Sequence, residues 1–239
     1  MKWLSFFVFG FCTLILATVI FPPMRLVLHP RERFKKYGRR FVSFTFRGFI
    51  KFMHIIGIVN LEAENRKLYR NISSKVIVAN HPSLLDVVML ISLFPNADCI
   101  VNSYLSYNIV RGVINQLYIL NSLDFESLLR SCIKSLEQGN CLIIFPEGTR
   151  TPRSGKNVIK KGAARIALAS CCGIIPLHIG GTDKYGLGKK DPWTGFNPQE
   201  RYVYRISMGT EIYPEKYKNL SMPAAVRELT REFSAFLFA

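Results

Sequence analysis

The chain has 239 residues, enough for one domain plus a membrane segment, and its 32 lysines and arginines against 16 acidic residues give a formal charge of +16. This charge favours anionic partners, but a hydrophobic content of 49% with 18 phenylalanines favours a lipid surface over nucleic acid, so we expect no nucleic-acid partner. The six cysteines form no CxxC pair, which argues against a disulfide framework and against a metal site.

The first predicted element is an apolar helix. Residues 3–24 carry no charged side chain and are numerous enough to span a bilayer. A cleaved signal peptide is the alternative, but this stretch is longer than usual and ends in Pro22-Pro23 without a small-x-small cleavage site. Seven lysines and arginines follow between residues 25 and 40, against Lys2 alone before the stretch. The positive-inside rule therefore predicts that residues 1–24 anchor the chain in the inner (cytoplasmic) membrane, with the remaining domain on the cytoplasmic side.

A second, amphipathic helix is predicted from Arg39 to Val59. Polar side chains recur there at three- and four-residue steps and form one stripe, which consists of Arg40, Ser43, Arg47, Lys51 and His54. A narrow basic stripe on a broad aromatic face is typical of a helix that lies in the membrane interface. A core helix with a solvated edge is the alternative. We assign residues 25–62 to this interface segment and residues 63–239 to the domain that follows.

Strands and helices alternate from residue 75. The predicted strands are Lys75–Ala79, Cys99–Asn102, Tyr118–Leu120, Cys141–Phe145 and Ile174–His178. The predicted helices are Pro82–Leu93, Ser103–Gln116, Leu123–Gln138 and Lys160–Ser170. This alternation predicts an α/β fold, a single domain with a largely parallel core sheet flanked by helices. Arg201–Gly209 is predicted to add an edge strand, and a last helix is expected to begin near Ser221.

The first cluster of candidate catalytic residues follows the strand Lys75–Ala79. Pro82 favours an extended conformation for His81 and should open the helix that carries Asp86. The Asp86 carboxylate can then reach back to the imidazole, an arrangement that suits a histidine base oriented by an acid. Asn80 is expected to shape the same turn or to contact the substrate. The alternative is a polar loop histidine and an aspartate favoured by a helix N-terminus.

A second polar cluster, Pro146-Glu147-Gly148-Thr149-Arg150, follows the strand Cys141–Phe145. Ligands of open α/β sheets bind beyond the carboxyl ends of the strands, so both clusters should share one site. Arg150 is a candidate anion ligand, and Glu147 is expected to bind a substrate hydroxyl or to hold Arg150. The backbone amides of Gly148 and Thr149 would face an oxyanion or a phosphate. A purely structural Glu147–Arg150 ion pair is the alternative.

The pattern Asn80-His81-x-x-x-x-Asp86 followed by Phe145-Pro146-Glu147-Gly148-Thr149-Arg150 resembles the glycerolipid acyltransferase family, whose members are lysophosphatidic-acid-acyltransferase-like enzymes (1-acylglycerol-3-phosphate O-acyltransferases). Ile175-Pro176-Leu177 resembles that family's fourth block, and the match covers roughly residues 70 to 180. The resemblance implies fatty acyl transfer from acyl-CoA or acyl carrier protein to a lysophospholipid hydroxyl at a membrane, as part of phospholipid biosynthesis. His81 would be the general base and Asp86 its partner, without a permanently bound cofactor.

The chain departs from the family pattern in one block. The family's second block usually ends in an Ile-Asp-Arg type sequence, whereas the corresponding stretch here, Tyr118–Ser122, contains no arginine. The acceptor therefore stays open between a lysophosphatidic-acid-like lipid and another amphiphile, such as an amino-acid lipid or a polyketide-like lipid. A non-catalytic membrane-interaction protein with this fold is the remaining alternative.

A basic segment follows the second cluster. Lys156, Lys160 and Lys161 lie around the start of a predicted helix. With the resemblance above, we expect them to bind the phosphates of the donor, either coenzyme A or the carrier protein. A solvated basic face is the alternative.

Overall fold

The structure is a computed structural model that describes residues 2–101, 111–121, 124–153, 157–192, 194–195 and 200–238. Seven strands form one sheet in the order β1-β7-β6-β2-β5-β3-β4. Their bounds are β1 Val59–Ala63, β2 Val76–Ala79, β3 Ala97–Val101, β4 Ile119–Leu120, β5 Cys141–Ile144, β6 Ile174–Gly181 and β7 Tyr202–Met208. All neighbouring strands are parallel except the β6–β7 pair. The prediction of a single α/β domain with a largely parallel sheet is confirmed.

Helices cover both faces of this sheet. Their bounds are α1 Lys2–Ile15, α2 Phe21–Val27, α3 Arg31–Ile55, α4 Arg66–Asn71, α5 Asp86–Leu93, α6 Arg111–Leu117, α7 Phe125–Glu137, α8 Gly162–Ser170 and α9 Met222–Leu237, with a π-helical turn at Leu16–Ile20 and a 3-10 turn at Pro214–Tyr217. In β2, Ile77 and Ala79 pack on the α3 and α5 side, whereas Val76 and Val78 pack on the side of α7, α8 and α9. Burial on both faces explains why this strand is a continuous apolar run.

The region before β2 differs from the prediction. Residues 59–62, which we assigned to the interface segment, belong with Ala63 to strand β1, which pairs in parallel with β7 from Val59↔Tyr202 to Ala63↔Ile206. Helix α3 has already ended at Ile55, and Gly57 follows with a φ of +79° that a helix cannot continue. The strand at 202–208 is consequently an inner strand, and the prediction that it lies at the edge was wrong.

The predicted helix Pro82–Leu93 also begins later than expected. Its first helical residue is Asp86, and Pro82 lies in the preceding loop. The Asp86 carboxylate accepts hydrogen bonds from both the amide and the hydroxyl of Ser83, which stabilises a turn in place of a first helical turn. The predicted helix Ser103–Gln116 and strand Cys99–Asn102 lie partly outside the described residues, which resume at Arg111.

The N-terminal helices pack against α3. Trp3–Val27 is long and apolar enough to cross a membrane, with a mean hydropathy of 2.5, and most of it is exposed. The Phe9 ring lies 5.5 Å from that of Phe49, and the Phe21 ring lies 5.6 Å from that of Phe34, so this stretch runs antiparallel to α3. Helix α3 is joined to the sheet by a buried ion pair of 3.2 Å between Arg39 and Asp98.

One member of the predicted polar stripe is not on the exposed face of α3. Ser43 is fully buried, whereas Arg40, Lys51 and His54 are exposed and Arg47 is half-buried. A hydroxyl costs far less free energy to bury than a charged group, which is why Ser43, and not a charged member of the stripe, occupies a core position.

Candidate active site

His81 and Asp86 form a hydrogen-bonded pair at the carboxyl end of β2. The Nδ1 atom of His81 lies 2.8 Å from Oδ2 of Asp86, and the Asp86 side chain is fully buried, whereas 16% of the His81 side chain is exposed. The ring of Phe145, at the end of β5, stacks on the imidazole with 4.2 Å between centroids. With Nδ1 bound to the carboxylate, Nε2 is the ring atom that can take a proton from a ligand, and Asp86 fixes the tautomer that allows this.

Ser83 holds the Asp86 carboxylate. Its amide donates to Oδ2 at 2.7 Å, and its hydroxyl donates to Oδ1 at 2.6 Å. Together with His81, these donors satisfy both oxygens of a carboxylate that has no contact with water. Ser83 was not among the predicted site residues, although its position between His81 and Asp86 in the sequence was a signal for it.

Glu147 joins the two clusters through the main chain of His81 and not through Arg150. Its Oε1 accepts hydrogen bonds from the backbone amide of His81 at 3.0 Å and from the hydroxyl of Thr151 at 2.6 Å. Its Oε2 accepts a hydrogen bond from the side-chain amide of Asn157 at 2.8 Å. The side chain is 3% exposed. Glu147 is therefore a buried support for the main chain of His81, and the predicted pairing with Arg150 is wrong.

Asn80 is likewise a structural residue. Its side-chain amide donates to the carbonyl of Ile179 at 3.0 Å, and its side-chain oxygen accepts the amide of Ile179 at 2.7 Å. These two bonds continue the β2–β6 pairing after the strand has ended, and the Asn80 side chain is buried. These contacts fit a role for Asn80 in shaping the turn, and contact between Asn80 and the substrate stays a prediction.

Arg150 anchors the loop that follows β6. Its Nη1 donates to the carbonyls of Leu187 and Gly188 at 2.9 and 2.7 Å. The amide of Leu84 donates to the same Leu187 carbonyl at 3.0 Å. The loop is therefore hydrogen-bonded both to the segment after β5, through Arg150, and to the His81 turn, through Leu84. A guanidinium has further N–H donors on Nε and Nη2, and the half-buried Arg150 can direct these at an anion.

Gly148 and Lys160 are in close contact. Gly148 has a φ of +65°, and a Cβ at that position would lie 2.5 Å from Nζ of Lys160. The amide of Gly148 donates to the carbonyl of Phe145 at 3.0 Å, which closes the turn, so the expectation that this amide faces a substrate is wrong. Thr149 follows it and is half-buried. The turn thus presents an exposed ammonium group beside the residues that support His81.

The structure describes only part of the remaining residues that we expected to bind the acyl donor. Lys161 is exposed and directly precedes helix α8, and Lys156 lies outside the described residues. Among the residues that the structure describes, no group of three or more histidine, cysteine or acidic side chains is arranged to hold a metal ion.

The comparisons with known proteins agree with this architecture. The chain is similar to the 1-acyl-sn-glycerophosphate (LPA) acyltransferase PlsC from Thermotoga maritima, with a TM-score of 0.70 and 21% identity over 96% of this chain and 90% of that one, which shows a shared fold. It is 28% identical to a probable 1-acyl-sn-glycerol-3-phosphate acyltransferase from Mycoplasma pneumoniae, over 86% of this chain and 78% of that protein.

Two further relatives match over a smaller share of their length. The chain is 27% identical to the chloroplastic 1-acyl-sn-glycerol-3-phosphate acyltransferase LPAT1 of Arabidopsis thaliana over 72% of this chain, and it spans 48% of that protein. It is 35% identical to the 1-acyl-sn-glycerol-3-phosphate acyltransferase of Helicobacter pylori over 39% of this chain and 43% of that protein. The model of the Acyltransferase family matches residues 60–180, the half of the chain that carries both polar clusters, and the protein therefore belongs to this family.

Proposed function

We propose that this protein is a membrane-bound O-acyltransferase that moves a fatty acyl group from a thioester, acyl-CoA or acyl carrier protein, to the hydroxyl of a lysophosphatidic-acid-like lysophospholipid. The observation that carries the proposal is the 2.8 Å contact between His81 Nδ1 and the buried Asp86 carboxylate, with Nε2 on the opposite side of the ring. The names of the relatives support the reaction class, and the resemblance of the two motifs supports the acceptor class.

The proposed chemistry needs one base and no covalent enzyme intermediate. Nε2 of His81 takes the hydroxyl proton as the acceptor oxygen bonds to the thioester carbonyl carbon. The tetrahedral intermediate then breaks its C–S bond, and the imidazolium returns the proton to the leaving thiolate. Asp86 stabilises the imidazolium while it exists, and burial strengthens that interaction because water does not screen it.

Cationic groups near this turn are proposed to bind the phosphates of the two substrates. Lys160 lies over Gly148, Lys161 precedes α8, and Arg150 has donors beyond those that it directs at the loop. The stretch between Tyr118 and Ser122 lacks the family's second-block arginine. A second acceptor class is therefore a lipid without the phosphate of lysophosphatidic acid, such as an amino-acid lipid or a polyketide-like lipid.

We also propose that the N-terminal helices carry the protein on the membrane, with residues 1–24 as the anchor and the basic face of α3 at the interface. Helix α1 exposes large apolar side chains on its outer face, namely Trp3, Leu4, Phe7, Phe11 and Leu14. The exposed face of α3 combines Arg40 and Lys51 with Phe44 and Ile55, which suits anionic headgroups above an apolar layer. The cluster of basic residues after the apolar helix favours the cytoplasmic side.

The test uses membranes that carry the protein, incubated with labelled acyl-CoA or acyl carrier protein thioester and a panel of lipid acceptors. A matched preparation carries His81→Ala. His81-dependent label on lysophosphatidic acid is the expected result. Label on another acceptor keeps the reaction and changes the substrate, whereas no His81-dependent transfer from either donor would overturn the proposal in favour of a non-catalytic membrane protein.

A further inference from the structure

The Asp86 carboxylate is connected to strand β7 by a chain of buried hydroxyl groups. The hydroxyl of Ser83 lies 2.6 Å from Oδ1 of Asp86 and 2.8 Å from the hydroxyl of Tyr204. All three side chains are fully buried. The path leads away from the exposed face of His81 and ends in the sheet.

The chemistry of these groups fixes the direction of each hydrogen bond. An ionised carboxylate only accepts, so the single hydroxyl proton of Ser83 is donated to Asp86. The Ser83 oxygen must then accept the proton of Tyr204, as it also accepts the amide of Leu85 at 3.2 Å. Burial raises the pKa of Tyr204 well above its usual value, and the Asp86 charge raises it further, so this phenol remains a donor throughout the pH range of the enzyme.

A lysine lies behind the same tyrosine. Nζ of Lys184 is 5.0 Å from the centroid of the Tyr204 ring, and it donates to the carbonyls of Gly180, at 3.1 Å, and Thr182. The side chain is almost fully buried. Burial lowers the pKa of Lys184, whereas the negative charge of Asp86 opposes that change, so the two charges interact inside the domain.

We infer that Tyr204 and Lys184 are positioning residues for the catalytic pair: Tyr204 holds and stabilises the Asp86 carboxylate through Ser83, and Lys184 fixes the Tyr204 ring and supplies a positive charge behind that carboxylate. The inference rests on the proposed function, because it assigns roles within that reaction. Hydrogen bonds in such a chain polarise one another, so the Tyr204 donor strengthens the bond that Ser83 makes to Asp86.

This arrangement bears on the strength of the contact between His81 and Asp86. An Asp86 charge that is well stabilised by Ser83, Tyr204 and Lys184 attracts the imidazolium less strongly than an unsupported carboxylate would. Removal of that support in a variant should therefore strengthen the hold of Asp86 on the imidazolium. Among the described residues, the charged and titratable groups that bear on this chain are His81 and Asp86 themselves, Tyr204 and Tyr202 from β7, Lys184 from the loop after β6, and Asp183 and Glu200, which act on Lys184.

The central test is Tyr204→Phe, which removes the donor and keeps the ring under Lys184. We expect kcat to fall by about tenfold, the effect of losing one hydrogen bond to a charged network, with little change in KM. The acid limb of the kcat/KM profile should move to higher pH, because the Asp86 charge is less stabilised. Tyr69→Phe is the matched control, since Tyr69 is as deeply buried and donates to the Ile206 carbonyl of the same strand, away from Asp86.

A double-mutant cycle separates positioning from general packing. Because Tyr204 acts through Ser83, Tyr204→Phe should have almost no further effect on kcat in a Ser83→Ala background. Lys184→Met, which keeps the length of the stem and removes the charge, should move the acid limb in the same direction as Tyr204→Phe. Additive losses in the cycle, or a Tyr204→Phe enzyme with the wild-type pH profile, would overturn the inference.

An NMR titration tests the same inference without substrate. The chain has four histidines, and loss of one signal in His81→Gln identifies the imidazole of interest. We expect the midpoint of its titration in the folded, detergent-solubilised protein to lie at higher pH in Tyr204→Phe than in wild type or Tyr69→Phe. An unchanged midpoint counts against the inference even if transfer activity is present, and a shifted midpoint supports it even if the acyl-transfer proposal fails.

Discussion

Oε1 of Glu147 accepts the backbone amide of His81 at 3.0 Å, which joins two motifs that are 66 residues apart in the chain. The same oxygen accepts the Thr151 hydroxyl, and the Thr151 amide donates to the His81 carbonyl at 2.7 Å. The peptide groups on both sides of His81 are thus fixed by the segment that follows β5. The conformation of His81 depends on this segment as much as on β2.

We expect Glu147→Ala to inactivate the enzyme through His81 and not through loss of a substrate contact. The variant removes the shorter of the two hydrogen bonds of the His81 amide, which keeps only the Thr151 Oγ1 acceptor at 3.2 Å, and it leaves the Asn157 side-chain amide without its acceptor, at a total cost of about 2–3 kcal/mol. Steady-state kinetics should show a fall of at least tenfold in kcat with a small change in KM. Glu147→Gln keeps an acceptor for the amide and should retain more activity; a variant with a normal kcat and a raised acceptor KM would instead indicate a direct substrate contact.

The parts of the site that were predictable from the sequence are those held by local contacts. His81 and Asp86 are five residues apart at the end of an apolar strand, and this closeness was enough to pair them although Pro82 does not open the helix. Glu147 was predicted to belong to the site, but its hydrogen bond to the backbone amide of His81 was not predictable, because every residue except proline has such an amide. Tyr204 contacts Ser83 across 121 residues, and its strand lies between β1 and β6, a position that local sequence does not indicate.

Asn80→Asp is expected to destabilise the protein more than Asn80→Ala. Asn80 presents both a donor and an acceptor to Ile179, and an aspartate would direct a carboxylate oxygen at the Ile179 carbonyl in a buried site. Loss of the two bonds in Asn80→Ala should cost about 1–3 kcal/mol, and the uncompensated charge in Asn80→Asp should cost more. Thermal unfolding in detergent measures both variants, and equal melting temperatures would contradict the proposed pairing.

Arg39→Met should weaken the attachment of α3 to the sheet in a pH-dependent manner. Burial raises the pKa of Asp98 above the ordinary value of 3.8, although Arg39 partly offsets this effect. Removal of the guanidinium leaves a buried carboxylate with only neutral donors such as Ser135, and we expect a loss of about 3–5 kcal/mol at neutral pH.

The sign of the pH dependence follows from the raised pKa. A carboxyl group whose pKa is higher in the folded state stabilises the fold below its unfolded pKa, and that contribution is lost as the pH rises through the folded value. Arg39→Met should therefore lie closest to wild type in acidic buffer and diverge from it as the pH rises. Unfolding measured at several pH values checks this, and Arg39→Met combined with Asp98→Asn should recover much of the stability and lose the pH dependence.

Substitution of Gly148 tests whether Lys160 binds a substrate phosphate. Gly148→Ala places a Cβ 2.5 Å from the present position of the Lys160 ammonium group, which must move, and it adds the strain of a φ of +65°. Gly139→Ala is the matched control, because Gly139 has a φ of +81° and nothing within 4 Å of an added Cβ. Each change should cost about 1 kcal/mol of stability.

Of the two glycine variants, only Gly148→Ala is expected to weaken substrate binding. If Lys160 binds the donor phosphates, KM for the acyl thioester should rise in Gly148→Ala and in Lys160→Met, and stay at the wild-type value in Gly139→Ala. A rise in the KM of a phosphate-bearing acceptor, with the donor KM unchanged, would assign Lys160 to the acceptor and show how this chain compensates for the missing second-block arginine. Wild-type KM values for both substrates would leave Lys160 as part of the solvated basic face.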